Sequence, residues 1–324
     1  MDRKRIFGLD NQEDFKNRAL EIFKFQAEEN QIYSNFLMHL NVDFAKIKEL
    51  EEIPFLPIEF FKTHRVVSSQ NKIEKIFLSS GTSGKNQSRH YISDLSIYEE
   101  SYIQGFKHFY GDVENYTILA LLPSYLEREG SSLIYMVEDL ILRSKKAESN
   151  FYLNDIEALQ KTLLKLSKKG EKAILIGVSF ALLEFIEKFS FDLNNIIIME
   201  TGGMKGRRKE IIREELHDHL SKGFGVDKIH SEYGMTELLS QAYSKGDGVF
   251  ECPPWMKVTI RDTRDALTPL SEGRAGGINV IDLANINSCS FLATQDLGKL
   301  NSDGTFQVTG RFDNSDIRGC NLMI

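Results

Sequence analysis

The run Ser79-Ser80-Gly81-Thr82-Ser83-Gly84-Lys85 places small hydroxyls, glycines and a cation directly after the apolar residues Ile76-Phe77-Leu78. These residue types suit an anion. Glycine admits positive φ, so successive backbone N–H groups can converge on one point, and the hydroxyls add rotatable donors. Phosphate is the ligand such a loop fits, although an ordinary Ser/Gly turn has the same composition. The Gly-x4-Gly-Lys-Ser/Thr spacing of a P-loop is absent.

Four further motifs share this character. Glu200-Thr201-Gly202-Gly203-Met204 follows an apolar run, and its bare backbone lets a flat ring approach closely. Ser231-Glu232-Tyr233-Gly234-Met235-Thr236-Glu237 supplies an aromatic face, a hydroxyl and a carboxylate within a few residues. Thr294-Gln295-Asp296-Leu297-Gly298 puts an acid in what reads as a turn, and Gly310-Arg311-Phe312-Asp313 sets a cation beside an acid. Taken singly, Tyr233 also fits a core aromatic, Asp296 a turn acid and Arg311 a surface ion pair. Their order along the chain is the stronger signal.

The elements that must position these residues follow from periodicity. From Phe15 to about Leu40, apolar residues recur at helical spacing, which predicts amphipathic helices. The dense stretch Ile53-Pro54-Phe55-Leu56-Pro57-Ile58-Glu59-Phe60-Phe61 reads as core that could also border a substrate. The middle alternates strand and helix: Tyr116–Leu122 then Gly130–Leu142, Ala173–Val178 then Ala181–Phe189, Asn195–Met199 then Arg207–Leu220. Such alternation predicts a parallel sheet covered by helices, with ligands at the carboxyl ends of the strands. From Cys252 onward, short β-prone segments between Gly, Asp and Asn turns predict antiparallel hairpins, with closure as a small barrel one arrangement they allow. The expected division is residues 1–251, an α/β core with N-terminal helices, and residues 252–324, a β-rich subdomain ending in a tail.

Composition narrows the function classes. The chain has 324 residues, is 41% hydrophobic and 27% charged, and carries a net charge of −7, which argues against a nucleic-acid surface. The basic cluster Lys205-Gly206-Arg207-Arg208-Lys209 reads as the solvated start of a helix. No apolar run has the length of a membrane span, and no signal-type apolar core follows the charged N-terminus. Three cysteines, Cys252, Cys289 and Cys320, without a Cys-x-x-Cys pair, predict no disulfide scaffold or structural zinc site, and a reducing cytoplasmic location.

Together these motifs resemble the adenylate-forming superfamily, enzymes that activate carboxylic acids with ATP. The resemblance implies its α/β N-terminal domain, with parallel sheets covered by helices and a small antiparallel β subdomain. It assigns Ser79, Ser80, Gly81, Thr82, Ser83, Gly84 and Lys85 to the ATP phosphates, with Lys85 as the loop's cation. Gly202 and Gly203 on one side, and Tyr233 with Gly234 on the other, would enclose the adenine. Thr236 would contact the α-phosphate and Glu237 magnesium, while Asp296 would bind the ribose hydroxyls with help from Arg311. Asp313 matches the family's hinge position. The family loop carries a lysine three residues after its last glycine, where this chain has Gln87. The family also continues for a mobile C-terminal lid with a catalytic lysine; this chain stops at Ile324, so the expectation is a core without that lid.

A narrower resemblance fits that stop. Ile53–His64 and Leu122-Pro123-Ser124-Tyr125-Leu126-Glu127-Arg128 are similar to the acyl-protein synthetase of the bacterial luminescence fatty-acid reductase, from about residue 5 to the end. That family implies activation of a long-chain fatty acid as its adenylate, followed by a thioester on a cysteine near the C-terminus, matched here by Cys320. It also implies a reductase-like protein partner as acyl acceptor. Cys320 alone fits equally a small hydrophobe beside Leu322-Met323-Ile324, and Cys252 fits a structural role. Two other readings stand beside this one: a ligase passing the acyl group to coenzyme A, another soluble thiol or an amine, and a non-catalytic binder of nucleotide or acyl-adenylate.

Overall fold

A computed structural model describes residues 4–68, 72–80, 87–123, 130–193, 195–202 and 211–312. They divide into two compact units, one within Met1–Ile76, Ser83–Ile97 and Glu251–Ile324, the other within Phe77–Thr82 and Tyr98–Phe250.

The first unit begins with helices α1 (Lys4–Phe7), α2 (Gln12–Glu29) and α3 (Gln31–His39). The amphipathic stretch is split at Asn30, whose backbone is extended and whose side chain accepts the Tyr33 N–H at 3.0 Å, ending one helix and capping the next. The buried face of α2 includes Phe15, Ala19, Ile22, Phe23 and Gln26. Phe23 and Tyr33 pack against Phe291, with ring centroids 5.8 and 6.3 Å away. In the proline-containing stretch, β1 (Leu56–Pro57) pairs in parallel with Leu292–Ala293, and α4 (Phe60–Thr63) follows. Ile53, Leu56, Ile58 and Phe61 are buried, so the stretch is core as read. Half-buried Phe60 stacks on exposed His64 at 5.1 Å. Strands β2 (Lys75–Leu78) and β3 (Arg89–Ile92) and helix α5 (Leu95–Tyr110) come next, β2 from Phe77 and α5 from Tyr98 onward belonging to the second unit.

The second unit is the expected strand–helix alternation: β4 (Thr117–Leu121), α6 (Ser132–Ser144), β5 (Asn150–Phe151), α7 (Ile156–Lys169), β6 (Ala173–Gly177), α8 (Ser179–Lys188), β7 (Ile196–Thr201), α9 (Arg213–Phe224), β8 (His230–Tyr233) and β9 (Ala242–Ser244). The strand order is β5-β4-β6-β7-β8-β9, parallel throughout except for β8 with β9. Every residue of β4 and β6 is buried, which is why their sequences are unbroken apolar runs and not alternations. The helix expected over Arg207–Leu220 is described from Arg213 to Phe224; the Lys205–Lys209 cluster lies outside the described residues.

After β10 (Val249–Glu251), the first unit resumes with β11 (Met256–Arg261), β12 (Pro269–Leu270), β13 (Ala275–Asp282), β14 (Phe291–Leu300) and β15 (Phe306–Arg311). Here the order is β12-β11-β13-β14-β15, antiparallel as the hairpin texture predicts. Among the described residues of this unit, β12 and β15 stand at opposite ends of that order. Among the described residues, β12 and β15 do not pair with each other, so the small barrel considered from the sequence does not close there.

Within this unit the N-terminal helices pack with the late strands. A polar lock shows why. The Gln26 side-chain amide donates to the carbonyls of Asn285 (3.1 Å) and Ile286 (2.9 Å), and its oxygen accepts the Ser290 N–H at 2.9 Å. Asn30 donates to the Ser288 carbonyl at 2.8 Å. These partners are more than 250 residues away, so no local pattern reports them. Among the described residues, no helix is long and apolar enough to cross a membrane.

Gln26 is fully buried, so Gln26→Leu keeps its bulk but strands several buried backbone groups. The expected loss is about 3 kcal/mol of stability, read from the midpoint and slope of urea unfolding.

Candidate functional site

The carboxyl ends of β7 and β8 carry most of the described candidate residues. In their parallel register Glu200 faces Ser231 and Thr201 faces Glu232, so both strands end at the same level. Beyond them lie Gly202 and the turn from Tyr233 to Glu237.

Each strand end holds a buried carboxylate. Glu232 accepts a short hydrogen bond from the Thr201 hydroxyl. A Cβ built on Gly234 would come within 2.3 Å of Glu232 Oε1, so the carboxylate folds back over the space that only glycine leaves. Tyr233 is buried, its ring edge-on to Phe250 at 5.9 Å. The following turn is closed by the Leu238 N–H donating to the Met235 carbonyl at 3.1 Å. It leaves Thr236 half-buried and Glu237 buried.

Glu200 anchors the other strand end. Ser179, the first residue of α8, places its hydroxyl 3.2 Å from Glu200 Oε2 and 2.8 Å from the Gly202 carbonyl. Gly202 turns there with φ +65°, the left-handed region that glycine enters without strain. From α9, His217 Nε2 lies 3.6 Å and Arg213 Nε 3.9 Å from Glu200 Oε1. Arg213 also stacks over Phe250 at 4.8 Å. Burial pushes the Glu200 carboxyl up, but His217, the Arg213 charge and the Ser231 hydroxyl together hold it below the usual carboxylate range. Ser179, Arg213 and His217 escaped the sequence reading. Glu200 itself was read only as the first residue of the Glu200–Met204 motif, with no role of its own.

At the end of β2, Ser79 is half-buried and Ser80 exposed, and the Leu78 N–H donates to the Gly130 carbonyl at 2.7 Å. Gly81, Thr82, Ser83, Gly84 and Lys85 lie outside the described residues, as do Gly203, Asp313, Cys320 and the Ser124–Arg128 part of the second motif.

In the other unit, Asp296 and Arg311 are register partners on β14 and β15, with Arg311 Nε 3.3 Å from Asp296 Oδ1. Asp296 is therefore not in a turn, as its Gln-Asp-Leu-Gly context suggests. β14 continues through it, and the irregularity falls one residue later, as a register shift between Leu297 and Gly298. The Asp296 N–H donates to Thr294 Oγ1 at 3.1 Å, and neighbouring Gln295 donates to Glu59. Arg311 is largely exposed and Asp296 largely covered, so the pair presents a cation over an anchored acid.

The sequence matches the family described as acyl-protein synthetase, LuxE, over residues 6–324. The chain belongs to the acyl-protein synthetase family. A curated relative from Photorhabdus luminescens, named a long-chain-fatty-acid–luciferin-component ligase, is 35% identical over 81 residues, covering 24% of this chain and 69% of the relative. Among solved structures, ATP-bound MatB from Rhodopseudomonas palustris superposes with a TM-score of 0.57 at 16% identity, over 75% of this chain and 49% of that one. The chain thus spans about half the length of that enzyme. A 2-hydroxyisobutyryl-CoA ligase, in complex with its acyl-adenylate, gives a TM-score of 0.66 at 13% identity, over 96% of this chain and 70% of that one. The synthetase therefore has the fold of the N-terminal domain of adenylate-forming ligases.

Among the described residues of this acyl-protein synthetase, no group of three or more His, Cys, Asp or Glu side chains could hold a metal unaided. Glu237 is a single buried carboxylate, a donor that fits a hard cation completing its shell with phosphate oxygens and water. Burial pushes the Cys289 thiol up to about 12, and burial with the nearby Asp282 and Glu251 carboxylates raises that of Cys252. Neither is a ready nucleophile.

Two outcomes follow from this geometry. Gly234→Ala must displace the buried Glu232 carboxylate, and a loss of about 1–2 kcal/mol of stability is expected, read from urea unfolding. Burial, with the Lys245 and Lys228 charges, lowers the His230 pKa to about 4. The ring is neutral in the folded protein, whereas the unfolded chain protonates near the ordinary value of 6.5 and so binds the extra proton. That part of the stability is complete above about pH 6.5 and is lost as pH falls through 4. His230→Gln should remove about 2 kcal/mol of the decline, measured by urea unfolding across this window.

Proposed function

We propose that this synthetase activates a carboxylic acid, most simply a long-chain fatty acid, as its acyl-adenylate, and then carries the acyl group as a thioester on Cys320. The observation that carries the reading is the level ending of β7 and β8. It sets Gly202 beside the Tyr233–Glu237 turn, in the chain order that adenylate-forming enzymes use.

In the first step a carboxylate oxygen bonds to the α-phosphorus of ATP, and the bond from that phosphorus to the bridging oxygen of pyrophosphate breaks. The protein's task is positioning and charge neutralisation, not covalent help. The phosphates are assigned to Ser79, Ser80 and the Gly81–Lys85 segment, the adenine to Gly202, Gly203, Tyr233 and Gly234, and the ribose to Asp296 with Arg311. Thr236 is assigned to the α-phosphate. Magnesium, held through Glu237, would supply charge to the phosphate oxygens. In the second step Cys320 loses its proton, its sulfur bonds to the acyl carbon, and the bond from that carbon to AMP breaks with AMP taking the electron pair. A protein acceptor, reductase-like by analogy with the luminescence system, would then take the acyl group. A reducing cytoplasm suits a thiol that must stay free. The chain's 22 phenylalanines can supply an apolar acyl pocket, and half-buried Phe60 is a candidate wall.

Intact-protein mass after incubation with ATP, magnesium and acids from butyrate to stearate tests this reading. The expected outcome is a gain equal to one acid less water, dependent on ATP, removed by hydroxylamine and absent in Cys320→Ser. Pyrophosphate release without an adduct would move the acceptor outside the chain. ATP binding with neither signal would end the synthetase reading.

A further inference from the structure

Both walls proposed for the adenine are tied to Glu200. On one side is Gly202. The Ser179 hydroxyl stands 3.2 Å from Glu200 Oε2 and 2.8 Å from the Gly202 carbonyl, and the Ser179 N–H points to the same carbonyl at 3.5 Å. A hydroxyl has one proton for these two acceptors, so the charge on Glu200 decides how firmly the Gly202 carbonyl is held. On the other side is Tyr233. Arg213, 3.9 Å from Glu200, lies over the face of Phe250, and the Phe250 ring meets Tyr233 edge to face. Arg213 Nη1 is buried with no hydrogen-bond partner among the described residues, and Glu200 is a negative charge close enough to compensate the guanidinium. His217, 3.6 Å from Glu200 and 3.4 Å from the Ser231 hydroxyl, closes the remaining side.

We propose that Glu200 is a positioning residue for the nucleotide base: one buried carboxylate sets the Gly202 wall through Ser179 and the Tyr233 wall through Arg213 and Phe250. The proposal rests on the adenylation reading, which assigns Gly202 and Tyr233 to the base. A carboxylate in this place suits the task because a buried charge tolerates few arrangements of its partners. The elements it joins, β7, α8 and α9, therefore keep one relative setting at their site ends.

The test compares Ser179→Ala and Glu200→Gln with the unaltered full chain in acid-dependent ATP–pyrophosphate exchange. Both variants should raise KM for ATP about tenfold, the factor of one charge-assisted hydrogen bond, while KM for the acid stays within about twofold. Loss of a merely structural contact would instead raise both constants together and lower the thermal midpoint. That result, or an unchanged KM for ATP in Ser179→Ala, overturns the proposal. If Glu200→Gln fails to fold because Arg213 is left uncompensated, Ser179→Ala decides alone. If the unaltered chain exchanges no pyrophosphate with any acid, the adenylation reading fails, and ATP affinity by calorimetry carries the same comparison. An unaltered chain that binds no ATP overturns both.

Discussion

The register between β7 and β8 is the constraint on which the site depends. With Thr201 opposite Glu232, the two strands leave the sheet level with one another, and the segments beyond them start from neighbouring points. Side chains alternate across a sheet, so Glu200 with Ser231 falls on one face and Thr201 with Glu232 on the other. Each face thus receives one carboxylate and one hydroxyl at the same depth. A slip of one residue would carry every one of these groups to the wrong side.

That placement is costly in itself. Parallel strands covered by helices are apolar throughout, as β4 and β6 are, and a charged group buried there loses its hydration. The chain offsets this by giving each carboxylate close partners: Thr201 for Glu232, and Ser179, His217 and Arg213 for Glu200. The influence of Glu232 extends further. Burial chiefly, and then its negative charge, raise the hydroxyl pKa values of Tyr98 and Tyr243, which keeps both phenols neutral donors. Polar groups satisfied in this way specify one arrangement of a core better than apolar contact does.

Much of this was legible in the sequence, for a physical reason that also marks the limit. Strands buried on both faces must be continuous apolar runs, so Ile118-Leu119-Ala120-Leu121 and Ala173-Ile174-Leu175-Ile176 could be read directly. β8 is the counterexample: His-Ser-Glu-Tyr has no strand-like apolar signal, because its side chains are spent on buried polar contacts. Asp296 was misplaced for a related reason. Its neighbours favour a turn, while cross-strand pairing to Arg311 extends the strand through it. The motif residues Gly202, Tyr233, Thr236 and Glu237 stand out in the sequence by type and spacing. Ser179, Arg213 and His217 were not, since each lies on a helix whose relation to Glu200 only the folded sheet creates.

The thiols show how fold and chemistry constrain one another. Attack on an acyl-adenylate needs a thiolate or a thiol easily deprotonated. Cys289 is wholly buried and held near a pKa of about 12, its thiol hydrogen-bonded at 3.5 Å to the Phe291 carbonyl. Cys252 stands near two carboxylates whose charge further opposes ionisation. The surroundings of both sulfurs thus disfavour the thiolate that such a reaction needs. The proposed thioester therefore calls on Cys320, the cysteine that the family resemblance assigns, and not on Cys252 or Cys289.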